Sequence, residues 1–146
     1  MNNTIYYALF DAAVNRYLLS AGALPLPGAA ATAAAAGAPP PGAAVVDGDG
    51  AIGVVVDSGC TFFHSLAFPD EVETALRVAR VGASSVRYEL GVFRAGAREP
   101  AAQGHFTHVY VDATTRRPVA ALRGRLAEAV LVLQQARGGG SGGAAQ

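Results

Sequence analysis

The chain has 146 residues, of which 51% are hydrophobic, with eleven basic and eleven acidic side chains and no net charge. That length holds one domain, and a neutral chain has no global field to steer it to nucleic acid or to an anionic membrane. Every basic residue is arginine, which reports coding bias as much as chosen anion binding, and the lone cysteine, Cys60, excludes an internal disulfide and favours a reducing, cytoplasmic setting.

Thr4 to Gly22 is predicted to be a helix. Ile5, Leu9, Ala12 and Leu19 share one face, and Tyr6, Phe10, Val14, Tyr17 and Leu18 cover much of the rest. Polar side chains are confined mainly to Asp11, Asn15, Arg16 and Ser20. A helix apolar nearly all round belongs in an interior. Asn2 or Asn3 can cap its start and Gly22 can stop it. Residues 25–50 are of low complexity and offer little large apolar surface, so an insertion without stable structure is expected there. The longest uncharged run, Tyr17–Val46, is broken by Pro25, Pro27 and Pro39–Pro41, which argues against a membrane span.

From Ile52 the apolar period becomes that of strands. Ile52–Phe63 is rich in Val and Phe. Next, Val72, Thr74, Leu76 and Val78 point one way, and Glu73, Ala75, Arg77 and Ala79 the other. After a turn at Val81–Ser84, Val86, Tyr88, Leu90 and Val92 are expected to face the core. In the last strand, Gly104–Asp112, Phe106, His108 and Tyr110 share a face opposite His105, Thr107, Val109 and Val111. Val119–Ala136 is a second helix with Leu122, Leu126, Val130 and Leu133 in one stripe, and residues 137–146 form a flexible Gly/Ser tail. The expected architecture is α+β: a buried helix wrapped by four antiparallel strands in a meander, closed by a surface helix.

Few side chains suggest chemistry on their own. His105 and His108 lie three apart on a strand and therefore on opposite faces, so they cannot share a metal ion. No His/Cys/Asp set has zinc spacing, and neither metal nor cofactor is expected. GDGAIG, Gly48 to Gly53, has dinucleotide-loop spacing, but a Val-rich strand follows where a helix would be needed. Cys60 reads as a small core residue. Asp11 is the one acid on the first helix. By itself it reads as the partner of Asn15 at i+4 on the one polar stripe, or as a contact across a subunit interface.

NNTIYYALFDAAVNRYLLSAG, followed in order by FPDEVE, SSVRYE, VYVD and RRPV, resembles the hotdog-fold acyl-CoA thioesterases of the 4-hydroxybenzoyl-CoA type. The likeness covers Asn2–Gly22 and about Gly53–Pro118. It implies a hotdog fold, a long central helix wrapped by an antiparallel sheet, and hydrolysis of an acyl-CoA thioester to a free acid and coenzyme A. In that family the helix follows a loop reading roughly Asp-x-x-Gly-His-Val-Asn-Asn. Asn2 and Asn3 match its Asn pair, so the resemblance expects a first strand, an Asp and a His ahead of Met1. In other hotdog lineages an acid on the central helix does the catalysis, which points to Asp11. The resemblance further implies substrate binding by Asn2, Asn3, Tyr6 and Tyr7 at the acyl end. It puts Ser84, Ser85, Arg87, Arg116 and Arg117 on coenzyme A, and it implies self-association as a dimer or tetramer. The alternative is a non-catalytic hotdog subunit that binds acyl-CoA or pairs with an intact homologue.

Overall fold

The computed structural model describes residues 2–23, 44–46 and 51–135. Helix α1 (Asn3–Ser20) begins where Asn2, still extended, accepts the Thr4 N–H on its side-chain oxygen at 3.2 Å. It ends in a Schellman motif. Gly22 turns left-handed at φ +70°, its N–H donates to the Leu19 carbonyl at 3.0 Å, and the Ala23 N–H donates to that of Leu18 at 2.8 Å. Tyr6, Phe10, Val14 and Leu18, spaced by four, form the buried stripe. Ile5 is 45% exposed, and Ala8 and Ala12 also face solvent. The expectation of a helix buried nearly all round is therefore corrected: one chain's sheet covers a single stripe of it.

Strands β1 (Ala44–Val46), β2 (Ala51–Phe62), β3 (Val72–Val81), β4 (Ser85–Arg94) and β5 (Ala102–Asp112) form one antiparallel sheet in the order β1-β2-β5-β4-β3. The four expected strands are present, and β1 adds a three-residue strand inside the stretch expected to be an insertion. The rest of that stretch, and the expected tail, lie outside the described residues. The order corrects the expected meander. Only β3, β4 and β5 are joined in that way, whereas β2 lies on the far side of β5. The chain leaving β2 does not fold back as a hairpin. Phe63 and His64 both donate to the Ala101 carbonyl, at 2.8 and 3.0 Å, which carries the connection past the start of β5 and on to β3.

Inward-facing Val78, Val86, Tyr88, Leu90, Val92, Phe106 and Tyr110 meet the buried stripe of α1 in one core. Bulges between Val55 and Asp57 and between Val78 and Arg80 add local twist, which helps the sheet curl around the helix. Gly104 permits the closest approach: a Cβ there would collide with the Phe10 ring and the Gly59 carbonyl oxygen. Helix α2 (Gly124–Gln135) starts later than expected. Val119 instead donates its N–H to the Tyr110 carbonyl at 3.0 Å, and Leu122 donates to that of Ala83 at 2.9 Å, which holds this segment against the sheet. Leu126, Ala129 and Val130 are buried, and the Tyr17 hydroxyl donates to the Ala129 carbonyl at 2.8 Å, tying the two helices together. Among the described residues no helix is long and apolar enough to cross a membrane.

Candidate active site

The start of α1 lies at the end of the sheet where β2 finishes. Tyr6 meets Phe62 edge-on, with ring centroids 5.0 Å apart, and is itself core at 3% exposure. Tyr7, half-buried, stacks on Phe106 at 6.2 Å. Ile5, Phe62 and Phe63 keep about half their surface in solvent and supply apolar surface at this end. Asn2 takes up two donors of the first turn, Thr4 N–H on its side chain and Ile5 N–H on its carbonyl at 3.0 Å. The Asn3 N–H has no partner among the described residues, and it sits at the positive end of the helix dipole. Farther along, on the solvent side of α1, Asp11 accepts the Asn15 amide at 3.1 Å. Burial of its carboxyl raises the pKa, the Asn15 hydrogen bond lowers it, and burial prevails.

The residues assigned to coenzyme A fall mostly at the other end of the sheet. The Ser84 carbonyl accepts from Tyr110 N–H at 2.7 Å, and the Arg117 carbonyl accepts from Asp112 N–H at 2.9 Å. Arg116 is left-handed at φ +60°. The Asp112 carboxylate accepts the N–H groups of Thr114 and Thr115 at 2.8 and 2.7 Å, which fixes the turn and holds its pKa down. Ser84, Ser85, Arg116 and Arg117 are thus brought together. They are also separated from Asn2 and Asn3. Between Gly53, opposite Tyr110, and Phe62, opposite Ala102, β2 runs about 30 Å at ~3.3 Å per residue. Arg87 stands apart from both groups, on the sheet face away from α1, with its guanidinium 3.5 Å from Asp57.

Two arrangements were invisible in the sequence. The Asp57 carboxylate meets His105 Nε2 at 2.8 Å, across 48 positions. The only prior sign was the opposite facing of the two histidines. His108, on the inner face, is buried at 7% exposure with no partner for Nε2 among the described residues, and burial lowers its pKa to about 4. Beside it the Tyr88 and Tyr110 hydroxyls share a hydrogen bond of 2.9 Å, and burial pushes Tyr110 up to about 12 and Tyr88 higher still.

The edge of β2 is the remaining feature of note. β1 pairs with Ala51–Gly53 only, so from Val54 to Phe62 that edge has no strand beside it among the described residues. Its main-chain donors and acceptors are open to a further strand. Val55 and Val56, near one end of this stretch, are 41% and 59% exposed, and Phe62, at the other, is 45% exposed.

The sequence profile of the thioesterase-like superfamily matches residues 1–130. No curated protein matches the chain. Among solved structures, the PA5185 protein of Pseudomonas aeruginosa strain PAO1 is 42% identical, over 91% of this chain and 78% of that one, with a TM-score of 0.72. A 1,4-dihydroxy-2-naphthoyl-CoA thioesterase from Synechocystis shares the fold at 14% identity, over 91% and 84% of the two chains, with a TM-score of 0.70. So does the SAV2348 protein of Staphylococcus aureus, solved in complex with CoA, at 14% identity over 92% and 73%, with a TM-score of 0.71. With its helix gripped along one stripe by a curled antiparallel sheet, the chain belongs to the thioesterase-like superfamily and has the hotdog fold.

Proposed function

We propose that the chain hydrolyses acyl-CoA thioesters in a site built by two copies. The observation that carries this reading is the capped start of α1, open to solvent with the Asn3 N–H unspent and Ile5, Phe62 and Phe63 beside it. Water attacks the thioester carbonyl, a carboxylate takes the water proton, and as the C–S bond breaks the carboxylate passes that proton to the departing sulfur, which releases the acid and the coenzyme A thiol. The helix-start N–H steadies the negative charge that develops on the carbonyl oxygen. Asp11 is the carboxylate of α1. It lies about 12 Å along the helix from Asn3, at ~1.5 Å per residue, too far to serve the start of its own helix.

A second copy brings a second Asp11, and it resolves the separation between the two ends of the sheet. Antiparallel pairing of two β2 edges lays the Gly53 end of one copy beside the Phe62 end of the other. Ser84, Ser85, Arg116 and Arg117 of one copy then flank the helix start of the other, where Asn2, Asn3 and Tyr7 hold the acyl end, with Tyr6 packed behind them. The same pairing covers Val55, Val56 and Phe62 and satisfies the open edge. The CoA-bound relative and the naphthoyl-CoA thioesterase support a CoA thioester as substrate.

Release of free thiol from a panel of aliphatic and aromatic acyl-CoA compounds is the test. Asp11→Asn should lower kcat at least ~100-fold with little change in KM. A folded dimer that binds the panel and releases no thiol is the non-catalytic subunit instead. A stable monomer removes the two-copy site.

A further inference from the structure

The sheet face away from α1 carries a cleft of about 340 Å³ that plays no part in the chemistry above. Its size is within the range of small-molecule sites. Small residues on neighbouring strands, Ala75 and Gly91, line it. The Phe93 ring leans over Gly91, into the space a Cβ there would take, and offers a flat apolar wall. Across from it stand polar side chains from β3, β4 and β5, and their hydrogen bonds are unevenly used. Glu89 is engaged by Arg77, whose Nε donates at 2.6 Å, and Asp57 is engaged by His105 at 2.8 Å. Arg87 has only a 3.5 Å ion pair with Asp57, and the Gln103 amide has no partner among the described residues. The Glu89 charge is thus countered by Arg77, and the guanidinium of Arg87 still has N–H groups to give.

A flat apolar wall facing unspent donors calls for a ligand with a planar body and an anionic acceptor. Guanidinium and carboxylate match in shape and charge, and aromatic rings pair with one another beyond the area they bury. We propose that this cleft binds a small aromatic carboxylate, with its ring against Phe93 over Gly91 and its carboxylate on Arg87. The site lies on the opposite face of the sheet from α1, so the proposal does not rest on the thioesterase reading.

Titration of the full chain with benzoate, benzamide and acetate, followed by backbone amide NMR, tests it. Benzoate should give saturable shifts at Gly91, Gln103 and His105. Benzamide, which keeps the ring and loses the charge, and acetate, which keeps the charge and loses the ring, should each bind at least ~10-fold more weakly. Arg87→Gln should weaken benzoate at least ~10-fold. Ala75→Leu, at an exposed position that leaves the core untouched, should fill the floor and abolish the shifts. The proposal is overturned by any of three results: no saturable shift in the millimolar range, equal binding of benzamide and benzoate, or shifts that centre on Asn3 and Phe62 and ignore both substitutions.

Discussion

His105 and His108 stand three residues apart on one strand and live in different media. His105 lies on the open face of the sheet, with a quarter of its side chain in solvent and Asp57 at 2.8 Å. His108 lies on the helix side, in contact with the rings of Tyr88, Phe106 and Tyr110, with a nitrogen that has no partner among the described residues. The difference is that of the two faces. The inner face is held by volume, Tyr88, Leu90 and Phe106 against Phe10 and Val14, whereas the open face is held by polar pairs, Arg77 with Glu89 and His105 with Asp57. Contacts of the first kind exclude water and are costly to lose. Those of the second kind are shared with water and are cheap.

The largest break in that comparison is expected at Phe10. Its ring fills the room left by Gly104 and meets Phe106 edge-on at 5.9 Å. Phe10→Ala should cost about 3–5 kcal/mol in urea unfolding. Phe93→Ala, the matching deletion on the open face, should cost less than about 1 kcal/mol. Equal losses at the two positions would mean that the open face is covered by something of comparable density.

Acid should separate the faces next. The fold keeps His108 neutral, with a pKa near 4 against an ordinary value of 6.5. The unfolded chain takes up that proton below pH 6.5 and the folded chain does not. The contribution of His108 is therefore whole above pH 6.5, shrinks as pH falls, and is gone below about pH 4. At ~1.4 kcal/mol per unit its full size is about 3–4 kcal/mol. His108→Leu should flatten the pH dependence of unfolding between these limits, and a slope that persists unchanged would place its cause in another group. Beside it, Tyr88→Phe removes one partner of the 2.9 Å hydroxyl pair and leaves the Tyr110 hydroxyl buried, for a loss of about 1–3 kcal/mol, toward the lower end because the remaining group keeps its own proton.

The sequence made the inner face readable because strand alternation is local. Val86, Tyr88, Leu90 and Val92 were assigned to the core from their spacing, and all four are buried. The partners of β2 were not readable, because neighbours in sequence usually pair and only the 63–71 connection, tied to Ala101, shows that β2 passes beyond β5. For α1 the apolar residues lie all round, and a period alone cannot say which stripe the sheet takes. It took Tyr6, Phe10, Val14 and Leu18, leaving Ile5 and Ala12 outside. The candidate site was partly readable. Asn2 caps the helix as its residue type suggests, but no local pattern places Ser84 and Arg117 at one end of the sheet and Asn3 at the other. The Asp57–His105 contact depends on register across two strands, which composition does not encode.

The smallest expected effect gives the comparison its sharpest form. Arg77 and Glu89 face each other across β3 and β4 with a hydrogen bond of 2.6 Å, a better geometry than that of many core contacts. Yet Arg77 keeps 61% of its side chain in solvent, so its charge is already well hydrated when the pair is broken. Glu89→Gln should shift stability by no more than about 0.5 kcal/mol at physiological salt, and less as salt is raised. Good geometry with little energy is what a solvated face predicts. A loss several times larger, insensitive to salt, would show that water does not reach this pair, and hence that a second molecule lies over the open face in solution.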